Sequence, residues 1–264
     1  GDDKQLPPMV GHDTIEELAQ KLGKTKEELE HIKSSLFAEL WESAPTGIKT
    51  MLDIQYRMHP DIMGVINQFY GDELKSGLKN PNQTRDHKLE LPYISNSDHS
   101  LWVDTPLNRN CQERKVGTSY QNKFEVQVIQ EIVADLNQFW AKKEITEPKK
   151  VGLITFYAPQ ARLLTTKIAN SDKYSSLDLR VGTVDRFQGM EREIIIVSMV
   201  RNNSNQNIGF ARSPKRINVA LSRAKELLIL VGSSQLFCHD SYASNATQIY
   251  SNVAQIINSK GGII

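Results

Sequence analysis

The chain has 264 residues, of which 39% are hydrophobic and 24% charged, and its formal net charge is +1. This is the make-up of an ordinary soluble globular protein of one or two domains, long enough for a sizeable core. The near-neutral balance argues against a protein that coats nucleic acid through its global field, but is silent about a local basic groove.

The first residues are Gly1-Asp2-Asp3, not methionine, and they read as the end of a preceding unit; a fragment of a longer protein is expected. Residues 13–43 read as two helices broken near Gly23. Asp13 to Glu16 and Thr25 to Glu28 have capping-box spacing, and Leu29, Ile32, Leu36, Phe37 and Leu40 recur at helical period. Gly23-Lys24-Thr25 resembles the tail of a phosphate-binding loop, but Leu18 stands where that loop needs glycine and no strand precedes it. No Walker A loop occurs elsewhere in the chain.

Beyond residue 50 short apolar runs alternate with amphipathic stretches. Strands are expected over 51–54, 101–103, 151–155, 180–184, 193–200 and 227–231. Helices are expected after Pro60 and over 119–139, 159–169 and 214–222. Residues 80–100 read as a polar insertion or long loop, and 202–207 as a second polar loop. Near-continuous apolar strands separated by helices imply an α/β fold, a parallel sheet with helices on both faces. Ligands of such sheets gather beyond the carboxyl ends of the strands.

Apolar runs such as residues 194–197 are far too short to span a bilayer, so no membrane association is expected. Cys111 and Cys238 lie far apart and the six histidines show no HExxH spacing, so no metal site is expected. Sparse cysteine fits a reducing cytoplasmic location, or a nuclear one in a eukaryote. A dinucleotide-binding or methyltransferase domain would share the sheet, but no G-x-G-x-x-G turn follows the first strand.

Four segments carry the chemistry: Gly1 to Pro8 (GDDKQLPP), Gln55 to Pro60 (QYRMHP), Gly182 to Glu191 (GTVDRFQGME) and Asn218 to Lys225 (NVALSRAK). Taken singly each has a plain alternative. Arg57 could cap its strand or pair with a carboxylate, Gln5 and Gln188-Gly189 could be turn residues, and Arg223 with Lys225 could be a solvated helix end. Together, two isolated arginines and a glutamine at element ends form the kit of a split phosphoryl-transfer site. Negative charge grows on the oxygens of a cleaved phosphate, and a permanently protonated guanidinium stabilises it through paired hydrogen bonds.

GDDKQLPP, QYRMHP, VGTVDRFQGME and RINVALSRAK, in this order, closely resemble motifs III, IV, V and VI of superfamily 1 helicases. The resemblance is to the Up-frameshift-type (1B) group, to which senataxin also belongs, and it covers essentially the whole chain. It implies a RecA-like P-loop NTPase fold. Residues 1–47 would be motif III and a helical junction from a missing first RecA-like domain, and 48–264 the second RecA-like domain.

In that family ATP with magnesium sits between the two domains, and the missing one would supply the phosphate loop and the magnesium ligands. The resemblance makes Gln5 a sensor of the γ-phosphate or its attacking water, and Arg57 and Arg223 arginine fingers. Tyr56 would stack near the adenine, Gly189 would approach the γ-phosphate, and Glu191 would bind the ribose hydroxyls. Asp185 is read as a helix cap. Single-stranded DNA or RNA would lie across both domains, meeting Thr155 and Tyr157, and Thr183 and Val184. Phe156 stands where the family commonly has proline. Residues 201–225 carry six basic side chains and no acidic one, a local excess suited to the ATP cleft, the nucleic-acid groove or both. The expected function is the C-terminal motor domain of an ATP-dependent helicase, inactive by itself. The alternative is a non-catalytic nucleic-acid or protein interaction module that keeps the fold.

Overall fold

The computed structural model describes residues 1–7, 12–25, 27–29, 35–143, 145–239 and 245–264. Pro8 and Ile32, and the side chain of Asp13, fall outside the described set. The chain divides into two compact units, Gly1–Leu52 and Asp53–Ile264, a few residues beyond the boundary expected at 47/48.

In the first unit, helix α1 (His12–Leu22) stops at Gly23, whose φ of +62° lets the Lys24 amide return to the Ala19 carbonyl at 3.1 Å. The break therefore falls where the glycine placed it. Thr25 and Glu28 bond reciprocally as a capping box, at 2.8 and 3.3 Å. Helix α2 (Leu36–Ser43) begins instead at Ser35, whose hydroxyl accepts from the Ala38 amide.

The second unit begins with β1 (Ile54–Gln55), α3 (Pro60–Asn67), β2 (Lys75–Ser76) and α4 (Pro81–Thr84). β3 (Ser100–Asp104), a hairpin of β4 (Arg114–Val116) and β5 (Ser119–Gln121), and α5 (Lys123–Ala141) come next. After these lie β6 (Lys149–Thr155), α6 (Ala158–Leu164), β7 (Leu177–Thr183), α7 (Val184–Phe187), β8 (Arg192–Ser198) and α8 (Pro214–Leu221). β9 (Ala224–Gly232), α9 (Ser234–Phe237) and α10 (Asn245–Asn258) complete the unit. Strands β3-β9-β8-β6-β7 form one five-stranded sheet, parallel at every pairing, flanked by the short parallel pair β1-β2.

The central strands β8 and β9 are apolar almost throughout because both of their faces are covered. On one face Val126, Ile129, Val133 and Leu136 of α5 meet Val151, Leu153, Ile194, Ile196, Leu227 and Ile229 in a buried core. Ile62 and Val65 of α3, Ile217 of α8, and Val253 and Ile257 of α10 are buried on the other helices, with α3 against β9 and α10 against β3. This is the RecA-like α/β arrangement expected from the sequence.

Two local departures have clear causes. The long helix begins at Lys123, not near 119, because Asn122 is its cap, accepting from the amides of Phe124 and Glu125 at 3.0 and 3.2 Å. Residues 119–121 pair as β5 instead. The expected helix over 159–169 changes at Thr165 into a π-helical turn.

Candidate functional site

Because the sheet is parallel, its two ends differ, and the motif residues divide between them. Glu191 and Arg223 immediately precede β8 and β9, at the amino ends of these strands. Thr155 and Thr183 close β6 and β7 and face each other in register at the carboxyl ends.

The loop after β1 is brought to the amino end by its own side chains and by β9. Gln55 folds over its loop, accepting from the Arg57 and Met58 amides at 2.9 Å each. The His59 amide bonds the Lys225 carbonyl at 2.9 Å, and its ring caps α3 through the Asp61 amide. That ring also stacks on His99, with centroids 3.4 Å apart. Burial pushes His99 down to about 4, so it stays neutral at pH 7. Arg85, from the polar insertion, donates to the Arg57 and Tyr56 carbonyls at 2.6 and 2.7 Å.

Arg57 Nε thus lies 2.8 Å from Glu191, and Nη1 donates to the Ser222 carbonyl at 3.0 Å. Lys225 reaches the other Glu191 oxygen at 2.6 Å. The hydrogen bond from Lys225, and secondarily Arg57, holds the Glu191 carboxyl below its usual range against partial burial. Arg223 is only 2% exposed; it donates to the Val219 carbonyl at 3.0 Å, the Ser222 hydroxyl at 2.8 Å and the Met190 carbonyl at 3.4 Å. Gly189 turns the chain into this cluster at φ +79°. Tyr56 is 63% exposed, its ring lying over Gly77, where any Cβ would overlap it.

Arg57 and Lys225 share the one Glu191 carboxylate, and the buried Arg223 bonds the neighbouring Met190 carbonyl, so positive charge exceeds negative here beside an exposed aromatic ring. That donor set fits a nucleoside polyphosphate: a face to stack on, a carboxylate for hydroxyls, and guanidinium groups for phosphate oxygens. The structure therefore brings Tyr56, Arg57, Gly189, Glu191 and Arg223 together. Gln5 belongs to the first unit, where its amide donates to Asp2 at 2.8 Å. Asp185 is not a cap: it sits in the first turn of α7 and pairs with Arg216 at 3.3 Å.

At the carboxyl end the four expected contact residues differ in access. Thr155 is 0% exposed and Val184 is equally buried, so neither side chain reaches solvent. Thr155 ends β6 and Val184 opens α7. Tyr157 is also buried; its hydroxyl accepts from the Phe210 amide at 3.0 Å. Thr183 does line an open cleft of 440 Å³, with Thr165, Thr166, Arg162 and Arg186. Neither arginine pairs with a carboxylate among the described residues. Arg85 and Arg162 carried no distinguishing signal in sequence, since each lies on a stretch whose polarity is ordinary for a surface, and Arg186 lies within the Gly182 to Glu191 motif, where the resemblance gives it no role.

A family model described as an AAA domain matches residues 32–235. Among curated relatives, a regulator of nonsense transcripts 1 homolog of Neurospora crassa is 32% identical over 90% of this chain and 20% of its own length. An ATP-dependent helicase of Methanocaldococcus jannaschii is 33% identical over 91% of this chain and 32% of its own. The ATP-dependent helicase NAM7 of Saccharomyces cerevisiae is 33% identical over 88% and 22%. The chain thus spans about a fifth to a third of the length of these relatives. Among the described residues no helix is long and apolar enough to cross a membrane.

Proposed function

The chain belongs to the AAA-domain family, in its superfamily 1 Up-frameshift-like helicase group, and on that premise we propose that it is the second motor domain of an ATP-dependent helicase acting on single-stranded DNA or RNA. The observation that carries the reading is the convergence of Arg57, Glu191 and Arg223 at the amino ends of β8 and β9. A domain bearing the phosphate loop and magnesium ligands would close against this patch. Gln5 would then lie at the γ-phosphate, and Arg57 would exchange Glu191 for phosphate oxygens. Arg223 would turn from its carbonyl partners onto the charge that builds as the phosphate is cleaved. A supplied arginine is worth about 10³ to 10⁵ in rate in such reactions. Glu191, released from Arg57, becomes an acceptor for the ribose hydroxyls, and Tyr56 offers its exposed ring to the base. Reopening after hydrolysis moves one domain along the strand, which lies on Thr183 and its neighbouring arginines.

One observation favours the alternative, a non-catalytic module that keeps the fold: Arg223 is buried against its own domain. The same assay decides between the two. In a protein joining this chain to its phosphate-loop domain, Arg223→Ala should lower nucleic-acid-stimulated ATPase by about 10³-fold or more, with nucleotide affinity changed only a few-fold. Turnover equal to that of the parent protein would refute the motor reading.

A further inference from the structure

A second cleft at the carboxyl end, 420 Å³ in volume, lies beside the β4–β5 hairpin and takes in Tyr157 and Arg216 from the stretches singled out in the sequence. Its aromatic walls are Tyr120 and Phe210 over a floor of Tyr157. Phe210 is 55% exposed, with its ring centroid 5.5 Å from that of Tyr157, and the Arg201 guanidinium stacks 4.3 Å from the Tyr120 ring. The Arg216 guanidinium lies 5.6 Å from the Phe210 centroid, and the exposed remainder of the ring offers a face on which a further planar group can stack.

The backbone is built to hold this arrangement. Val200 has φ +71°, a conformation disfavoured for a β-branched residue. It is kept there by buried partners: its amide donates to Glu125 at 2.9 Å and its carbonyl accepts from Asn122 at 3.0 Å. The kink delivers Arg201 onto Tyr120. Strained backbone that the surroundings over-determine concentrates at functional sites. On the opposite wall Gly209, at φ +57°, lets the loop lie directly on the Tyr157 hydroxyl and the Arg201 guanidinium, which any Cβ there would overlap.

The charges are also distributed unevenly. Arg201 is neutralised by Glu113 at 2.9 Å and Arg216 by Asp185 at 3.3 Å. Arg212 bonds the uncharged Asn207 amide oxygen at 3.1 Å and pairs with no carboxylate among the described residues. One unneutralised guanidinium therefore stands beside one open ring.

We propose that this cleft accepts one unstacked nucleotide of the single strand, its base on Phe210 and its phosphate on Arg212. The proposal rests on the reading of the carboxyl end as the nucleic-acid face. Tyr157, at the head of α6, floors this cleft, and Ala158, Ala161 and Arg162 of the same helix line the cleft that holds Thr183, so one strand can visit both. Base stacking on an aromatic ring tolerates any sequence, as a translocating protein requires.

The test is fluorescence anisotropy of labelled oligo-dT and oligo-U with the chain, set beside an abasic strand of equal length. Phe210→Ala should weaken binding to both oligonucleotides by about tenfold, Phe210→Trp should restore it, and the abasic strand should show no such penalty. Arg212→Ala should weaken binding to all three and lower the slope of log affinity against log salt by about one. Phe210 and Arg212 both face solvent, and circular dichroism verifies that each variant stays folded. Equal affinities for all variants overturn the proposal and leave the cleft to a protein partner. Absence of binding by the unaltered chain sinks the nucleic-acid reading, and the inference with it.

Discussion

Glu125 shows how much the carboxyl end of the sheet depends on single side chains. It is fully buried; one oxygen accepts from the Ser198 hydroxyl at 2.6 Å and the Val200 amide at 2.9 Å, and the other has no hydrogen-bond partner among the described residues. Burial pushes its carboxyl up to about 8, although both hydrogen bonds pull the other way. In the unfolded chain the group returns to its ordinary value of 4.5. Below that pH both states hold the proton and its burial is free of an ionisation cost. As pH rises toward 8 only the unfolded state releases the proton, so stability falls across this window and levels off above it. Glu125→Gln keeps a carbonyl for both donors and removes the titration. The variant should therefore gain on the parent by about 5 °C or more in Tm between pH 5 and pH 8.5. Parallel melting curves at the two pH values would show that Glu125 ionises normally. The same locality marks a limit of sequence reading. Arg57, Glu191 and Arg223 are legible because each sits in an ordered motif at an element end. Tyr120 and Phe210 stand in stretches that resemble the family, but their meeting with Arg201 in one cleft is not legible, because the kink that delivers Arg201 falls on Val200, a residue type that gives no warning of positive φ.

The segment from Gly182 to Glu191 is one element that joins the two ends of the sheet. It leaves β7 at Thr183, doubles back as α7 and enters β8 at Arg192. Phe187 makes the return possible by lying where Gly152 and Gly182 have no side chains; a Cβ on either would stand 3.0 Å from its ring. A seven-residue strand is about 23 Å long, so this strap begins beside the cleft lined by Thr183 and ends in the cluster of Arg57, Glu191 and Lys225. Phe187→Leu leaves the ring's space partly empty and loosens the strap at its middle, with a stability cost of about 1 to 2 kcal/mol. In the joined two-domain protein the ratio of nucleic-acid-stimulated to basal ATPase should fall several-fold while nucleotide affinity holds. An unchanged ratio would mean that coupling runs elsewhere. Elements of this length are legible where apolar residues run unbroken: β6, β8 and β9 are largely β-branched or aliphatic stretches of the kind a doubly covered strand tolerates. The hairpin β4–β5 escaped notice because three-residue strands carry no measurable period. Helix α10 escaped because Asn, Gln and Ser interrupt Ile249, Tyr250, Val253 and Ile257, and its identity comes from packing on α3 and β3.

At the scale of the molecule, a net charge of +1 conceals two separate basic sites. One sets Arg57 and Lys225 on Glu191, with Arg223 on the adjoining Met190 carbonyl; the other sets Arg162 and Arg186 beside Thr183. The length of the intervening strands, about 23 Å, exceeds twice the screening distance of about 8 Å at physiological salt. Direct electrostatic influence of one site on a ligand at the other is then small, and coupling has to pass through the segments that connect the two ends, such as the strap and the stretch from Arg201 to Arg223. The substitutions should accordingly separate. Arg57→Ala and Arg223→Ala should leave the chain's affinity for oligo-dT within about twofold at 0.15 M salt, whereas Arg162→Ala and Arg186→Ala should each weaken it and reduce its salt slope by about one. At 0.01 M salt, where screening extends to about 30 Å, a modest loss should emerge for the first pair as well. If Arg223→Ala weakens binding at 0.15 M as strongly as Arg186→Ala does, the strand touches both ends of the sheet. The division of labour between its amino and carboxyl ends would then have to be abandoned.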